Sequence, residues 1–596
     1  MPKMKPPFGF RSYTGLLYIF AVISLCISGC QGSSNTVEEI ELPEEKTGSP
    51  VGKTFVPLNI AAPDYCLEST GLDDAKGLSL TTFSTRNFAG SGQCAECHQN
   101  LVDNSGSDVS ITSDWRSTMM ANAAKDPLWQ AKVSSEIARN PDLQAVIEGK
   151  CATCHMPMAR TQAIASNAPV GIFDGAFLNP EDSLHTAAMD GVSCTLCHQI
   201  QDKSLGEHES FSGGYIIDTA VVSPDRLIYG PFPDPLQMQM RNRAGYIPVM
   251  GAQTKDSGLC ATCHTLYTPY VNSQGEVVGE FPEQTPYLEW ESSQYGDGTG
   301  DDKACQDCHM PVADGPVAIS IMPRRLPARE PFVKHYFVGG NRFMLEIIKA
   351  NSGELNLTAA TSHLNTTIRR TKSQLSDNTA SISLISAQKQ GETLNLQVLV
   401  KNRAGHKLPT GFPSRRVWIH ITVRDASGQM IFESGKPDSD GSISGNDADF
   451  DAAKFEPHYN TINSNEQVQI YEAIMRDTDE RVTYTLLRAA SNVKDNRMLP
   501  LGFDASNGTE DIAVYGNASE DDDFKGGEDK VNYLIPITNS EGYFEVTLAI
   551  LYQPASYRFL YDLVNNDTNE IKRFSGFLDQ ACKMPEVISF AAYQIP

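Results

Sequence analysis

Cys94-Ala95-Glu96-Cys97-His98, Cys151-Ala152-Thr153-Cys154-His155, Cys194-Thr195-Leu196-Cys197-His198, Cys260-Ala261-Thr262-Cys263-His264 and Cys305-Gln306-Asp307-Cys308-His309 are five copies of one pattern, all within residues 94–309. The spacing has a chemical reason. Two thiols three residues apart reach the two vinyl groups on one edge of a porphyrin, and the imidazole that follows lies over the iron as its proximal ligand. A single Cys-x-x-Cys-His has rivals, a thioredoxin-like redox pair or half of a zinc site. Zinc, however, gathers Cys pairs four ligands at a time and gives no reason for a His after every one. Five covalent haem c groups are therefore expected, with His98, His155, His198, His264 and His309 as proximal ligands.

The chain has 596 residues, 40% of them hydrophobic and 20% charged. That composition describes a folded body with room for several domains and excludes a polytopic membrane protein. The amino terminus stands apart. Lys3, Lys5 and Arg11 precede an apolar run over 16–27, and Ile27-Ser28-Gly29-Cys30 has the order of a lipoprotein cleavage site. Residues 1–29 read as a lipoprotein signal peptide, with lipid on Cys30 holding the protein to a membrane. The alternatives are an ordinary signal peptide cut nearby or a retained anchor. Gln31 rather than Asp after the Cys leans toward the outer membrane. The expected location is the periplasm, outer membrane or cell surface.

Export decides the remaining cysteines. Of fourteen, ten lie in the motifs and Cys26 and Cys30 in the leader, which leaves Cys66 and Cys582. In an oxidising compartment these two are expected to pair. Net charge is −25, and loss of the leader makes it more negative. A nucleic-acid partner is excluded; other redox proteins or an extracellular electron acceptor fit better.

Residues 30–55, rich in Ser, Glu, Pro and Gly, read as a flexible tether. Residues 56–365 read as the five-haem cytochrome domain, mainly helix and loop, with a helix after Ser113-Asp114-Trp115. So little chain per motif makes the haems themselves the core and predicts that they stack closely. Beyond 380 the pattern changes. Leu394, Leu396, Val398 and Val400 alternate with polar residues, as do Val417, Ile419, Ile421 and Val423 with Trp418, His420, Thr422 and Arg424. Period two with one buried face predicts antiparallel strands, and further strands are expected over 467–473, 481–487, 531–537 and 544–552. The fold class is mixed, a haem-packed cytochrome module followed by a β-sandwich-like domain over 380–596.

Each iron has a second face. Seven histidines remain outside the motifs, and a haem wire without catalysis uses six-coordinate iron. His185, His208, His335, His363 and His406 are the expected distal ligands; His420, in mid-strand, and His458 read as structural. Met156, Met158 and Met310 stand too close to their own motifs to swing to the opposite face and read as packing. The acidic segment with Asp438, Asp440, Asn446, Asp447 and Asp449 is similar to a calcium loop but lacks the terminal Glu, and reads as a solvated turn.

These residues carry a resemblance. The five motifs, Cys154-His155-Met156-Pro157, Cys308-His309-Met310-Pro311, the segment from His335 to Asn341, Gly405-His406-Lys407-Leu408-Pro409-Thr410-Gly411, and Lys494-Asp495-Asn496-Arg497 resemble exported multihaem c-type cytochromes of respiring bacteria. The haem part is similar to the superfamily of tetrahaem nitrification cytochromes, hydroxylamine oxidoreductase and pentahaem nitrite reductase. The chain departs from the last in having no Cys-x-x-Cys-Lys.

The resemblance implies an electron carrier of the bacterial envelope, with no residue in a catalytic role. Two alternatives stand beside it. One is a reductase of a small nitrogen or sulfur oxyanion with one open iron, helped by Arg324, Arg325 and Arg329 near the fifth haem. The other is a homo-oligomer, with protomers assembled into a conducting filament.

Overall fold

Alternation at 394–400 and 417–423 does produce strands, Thr393–Asn402 and Arg416–Asp425, but in two different sheets. The computed structural model describes residues 55–66, 76–296, 298–503, 508–538 and 542–596. The leader, Cys30 and nearly all of the tether lie outside the described residues. Phe55, placed at the end of the tether, is buried edge-on against Tyr593.

One sheet runs Val56–Pro57, Glu586–Ile595, Phe544–Gln553, Arg416–Asp425, Ile470–Arg476 and Ser491–Asp495, with Met430–Ser434 also paired to Arg416–Asp425. The other runs Thr461–Ile462, Glu528–Pro536, Thr393–Asn402 and Ala380–Gln390. Leu396 and Val398 from one sheet, and Val417, Ile419, Val546 and Leu548 from the other, enter a single apolar cluster, so the C-terminal region is β-rich as expected.

Two expectations fail in instructive ways, and one pairing runs across the chain. Trp418 is not on a polar face: it is fully buried, in a second cluster with Ile443, Val468 and Leu551, because the central strand is covered on both sides. Residues 481–487 form no strand. Their backbone is taken by the helix Pro127–Arg139, where Lys132 Nζ donates to Tyr484 O at 2.7 Å and Leu486 N donates to Glu136 Oε1 at 2.9 Å. Side chains from a helix have replaced the ladder. Lastly, Val56–Pro57, at the start of the expected haem domain, pairs with the last strand of the chain.

The same region contains helices that period two did not announce. Thr568 caps Asn569–Leu578 by accepting from Ile571 N, and the helix buries Ile571, Phe574, Phe577 and Leu578 at helical spacing. That face joins a cluster with Ala131, Leu345, Ile348, Leu364 and Phe559, so residues on both sides of 380 share one core. Cys66 and Cys582 are disulfide-bonded as expected, with Cα atoms 6.0 Å apart, inside the usual range of about 4.4–6.8 Å. No described helix is long and apolar enough to cross a membrane.

Candidate haem-binding site

Every motif lies in or at the end of a short helix: Ser91–Ala95, Gln144–His155, Cys194–Cys197, Ser257–His264 and Cys305–His309. On a helix, positions i, i+3 and i+4 share a face, so both thiols and the imidazole of a motif project to one side. Asp256 fixes the start of the fourth by accepting from Gly258 N at 2.7 Å, and Pro157 ends the second.

Four of the five motif imidazoles are held at the same atom. Nδ1 donates to a backbone carbonyl in each: His98 to Ile319 at 2.7 Å, His155 to Ala123 at 3.2 Å, His198 to Tyr229 at 2.6 Å and His309 to Val338 at 2.5 Å. A proton fixed on Nδ1 leaves the Nε2 lone pair free for a metal. Burial pushes His155 and His264 down to about 4, which keeps both neutral and able to ligate. Two thiols and a free, neutral nitrogen on one helix face fit haem c. The four carbonyls were invisible in the sequence, since any residue supplies one.

Outside the motifs, two imidazoles face motif histidines. The rings of His198 and His335 have centroids 6.3 Å apart with planes at 27°, and those of His309 and His406 are 6.3 Å apart at 17°. His335 is pushed down to about 3 by burial and then by its neighbour His198. His185 bonds Phe177 O through Nδ1 at 2.9 Å, the same tautomer as the motif rings. His208 lies against Tyr267 and Phe211. His363, in the helix Thr361–Asn378, is lowered by burial and then by Arg116, and its Nδ1 is buried without a partner. His420 bonds Glu433 and His458 bonds Asp521. Met156 and Met158 are fully buried in an apolar cluster.

The motifs adjoin one another out of sequence order. The Cys94 thiol lies against that of Cys194, Cys154 against Cys263, and Cys260 against Cys305; Cys197 neighbours Cys263. Motif one thus meets three, three meets four, and four meets both two and five. Gly213 occupies the seam between two and four at φ 81°, where an added Cβ would stand 2.0 Å from Thr153 Cγ2. Gly213→Ala should therefore destabilise by about 2–4 kcal/mol, overpacking added to a left-handed backbone. Chemical denaturation would show it, and an unchanged midpoint would refute it.

His406 is seated by charge. Its loop connects Thr393–Asn402 to Arg416–Asp425, and the next residue, Lys407, donates from Nζ to Asp495 Oδ2 at 2.8 Å with both side chains buried. Arg497 grips Asp495 through Nε at 2.9 Å and Nη2 at 2.8 Å, and reaches Glu289 Oε1 at 2.9 Å. Glu289, on the helix Pro286–Glu291 between motifs four and five, also accepts from Lys407 N at 3.0 Å and from Thr410 Oγ1. The Gly405–Gly411 and Lys494–Arg497 segments that carry the resemblance are thus two halves of one clamp; Glu289 had no sequence signal.

Two expectations about charge are corrected. Arg324 and Arg325 are exposed and belong with motif one: Ile319 O is the acceptor of His98, and Ile321 N donates to Cys97 O at 2.9 Å. Nearness in sequence to motif five did not survive folding. In the acidic segment, Asp449 is no solvated acid: it is buried and paired to Arg416 at 2.6 Å, and also accepts from Ile443 N.

Residues 93–199 match the model of the cytochrome c554 and c-prime family. That span holds three of the five motifs. Together with the repeated donor sets, the match supports a multihaem c-type cytochrome, with haem c as cofactor and electron transfer as activity. Among solved structures the chain is similar to a penta-heme cytochrome c552 from Thermochromatium tepidum, at a TM-score of 0.45 and 16% identity over 84% of this chain and 97% of that one. No curated protein matches.

Proposed function

We propose that this chain is a five-haem electron carrier of the bacterial envelope, exported as a lipoprotein and held to a membrane through lipid on Cys30. Haem c, once bound, supplies one-electron chemistry that needs no proton or group transfer from the protein. Cys94, Cys97, Cys151, Cys154, Cys194, Cys197, Cys260, Cys263, Cys305 and Cys308 would attach five of them. The protein's work is to hold the donors still. Backbone carbonyls fix the tautomer of His98, His155, His198 and His309, and burial favours the neutral form of His98, His155 and His198.

The observation that carries the reading is the 6.3 Å between paired imidazoles. With metal–nitrogen bonds of about 2.0 Å and nitrogens about 1.1 Å from their ring centres, two imidazoles on opposite sides of one metal have centroids roughly 6.2 Å apart. The two pairs fit that spacing, so His198 with His335, and His309 with His406, would each hold one haem iron. His185, His208 and His363 complete the proposed set, each assigned to the distal side of one of the other three motifs.

Carbon monoxide tests it. The dithionite-reduced holoprotein should show no carbon monoxide difference spectrum, and His406→Ala and His335→Ala should each open one haem to the ligand. A variant that stays inert would refute that pair. A response in the unaltered protein would reveal an open iron and favour reduction of a small nitrogen or sulfur oxyanion instead.

A further inference from the structure

The segments beside the ends of the motif chain differ in charge. Among the described residues motif one meets motif three alone and stands at one end; motifs two and five stand at the others. Around motif five the exposed charges are mostly acidic, with Asp301, Asp302 and Asp307 against Lys303. At motif one the wrapping segment is different. Between Asp314 and Glu330 the chain has Arg324, Arg325 and Arg329 and no acid, in a protein of net charge −25. None of the three is ion-paired among the described residues, and Ile321 and Met322 beside them are exposed.

This segment is bonded directly to the donor set. Ile319 O takes the His98 Nδ1 proton, Ile321 N binds Cys97 O, and Ser320 Oγ turns the chain by donating to Met322 O at 2.7 Å. Exposed Asp314 and Glu330 bound the segment and Glu96 inside the motif is exposed, while Asp103 is occupied by Ser105, Ser107 and the Asp314 amide. We propose that residues 319–325 are the docking surface for a redox partner with an acidic face, and that electrons pass between that partner and the haem of motif one. An apolar pair rimmed by unpaired arginines supplies what such an interface uses, a desolvated centre and charges that steer the encounter. The inference rests on the haem reading above, and its test separates the two.

Small redox couples serve as probes. Holoprotein reduced with dithionite and freed of excess gives one electron to each ferricyanide, which becomes ferrocyanide, or to each hexaammineruthenium(III), which becomes the ruthenium(II) ion. In stopped flow at about 10 mM ionic strength, where charges act over about 30 Å, Arg324→Glu with Arg325→Glu should slow the anionic probe about tenfold and speed the cationic one. Near 1 M salt, where the reach is about 3 Å, the difference should vanish. Lys436→Glu with Lys525→Glu, exposed in the C-terminal region, makes the same change in net charge and should do much less. Equal effects of the two pairs, or a ferricyanide rate within twofold of the original, would overturn the proposal. Haem content and the carbon monoxide spectrum, unchanged in the variant, distinguish a failed docking surface from a failed haem reading.

Discussion

Asp495→Ala should lower stability by about 3–5 kcal/mol and make one haem bind carbon monoxide. Asp495 is 1% exposed and is the shared partner of two buried cations. Burial opposes its ionisation, yet Arg497 and Lys407 hold its carboxyl well below the usual range. Burial works on Lys407 in the opposite sense and wins, lowering it despite Asp495. With the carboxylate gone, Lys407 retains the carbonyl of Ala513 at 3.0 Å and Arg497 retains Glu289, too little for two charges shut away from water. The strain falls on the loop that presents His406. Denaturant titration measures the first effect, and high-spin signals in electron paramagnetic resonance the second. A destabilised variant whose haems stayed low-spin would show that the clamp serves the fold and leaves His406 in place. Asp495→Asn, which keeps the shape and some hydrogen bonds, should fall between.

Replacing Cys66 and Cys582 together with Ser should lower stability by up to about 6 kcal/mol, the loop-closure estimate for a bridge of this length. The bridge joins residues 516 apart in sequence. Its neighbours depend on it. Arg342 reaches from the haem side to Cys66 O at 3.0 Å and Glu586 at 2.6 Å, and Val56–Pro57 lies on the last strand. The expected fall in Tm is about 5 °C for a chain this long, read by calorimetry on the holoprotein. A fall below about 1 °C would mean that the local contacts hold the two ends without the bond.

The legible parts of this protein were the ones written in short local patterns. Cys-x-x-Cys-His needs only five neighbours, and the alternation from Leu394 to Val400 needs only seven. Leu486 shows the limit: its run looked like a strand, but a glutamate some 350 residues earlier claims its amide. Trp418 shows another, since alternation reports which residues differ and cannot report that a second layer covers the far side. His335 and His406 could be singled out from their loops, whereas the motif rings they face, His198 and His309, depend on how the motifs fold over one another. The arginines at 324, 325 and 329 were recognised as a cluster and assigned to the wrong end, because chain distance was used for spatial distance.

Because the first strand lies beside the last, the molecule cannot be closed until it has been made in full. A chain exported amino terminus first delivers Cys66 before every motif thiol and Cys582 after all of them. In that order Cys66 would wait through the arrival of ten other thiols. On the proposed function, haem attachment would remove those ten from competition as they appear, and the order of assembly would itself lead Cys66 to Cys582.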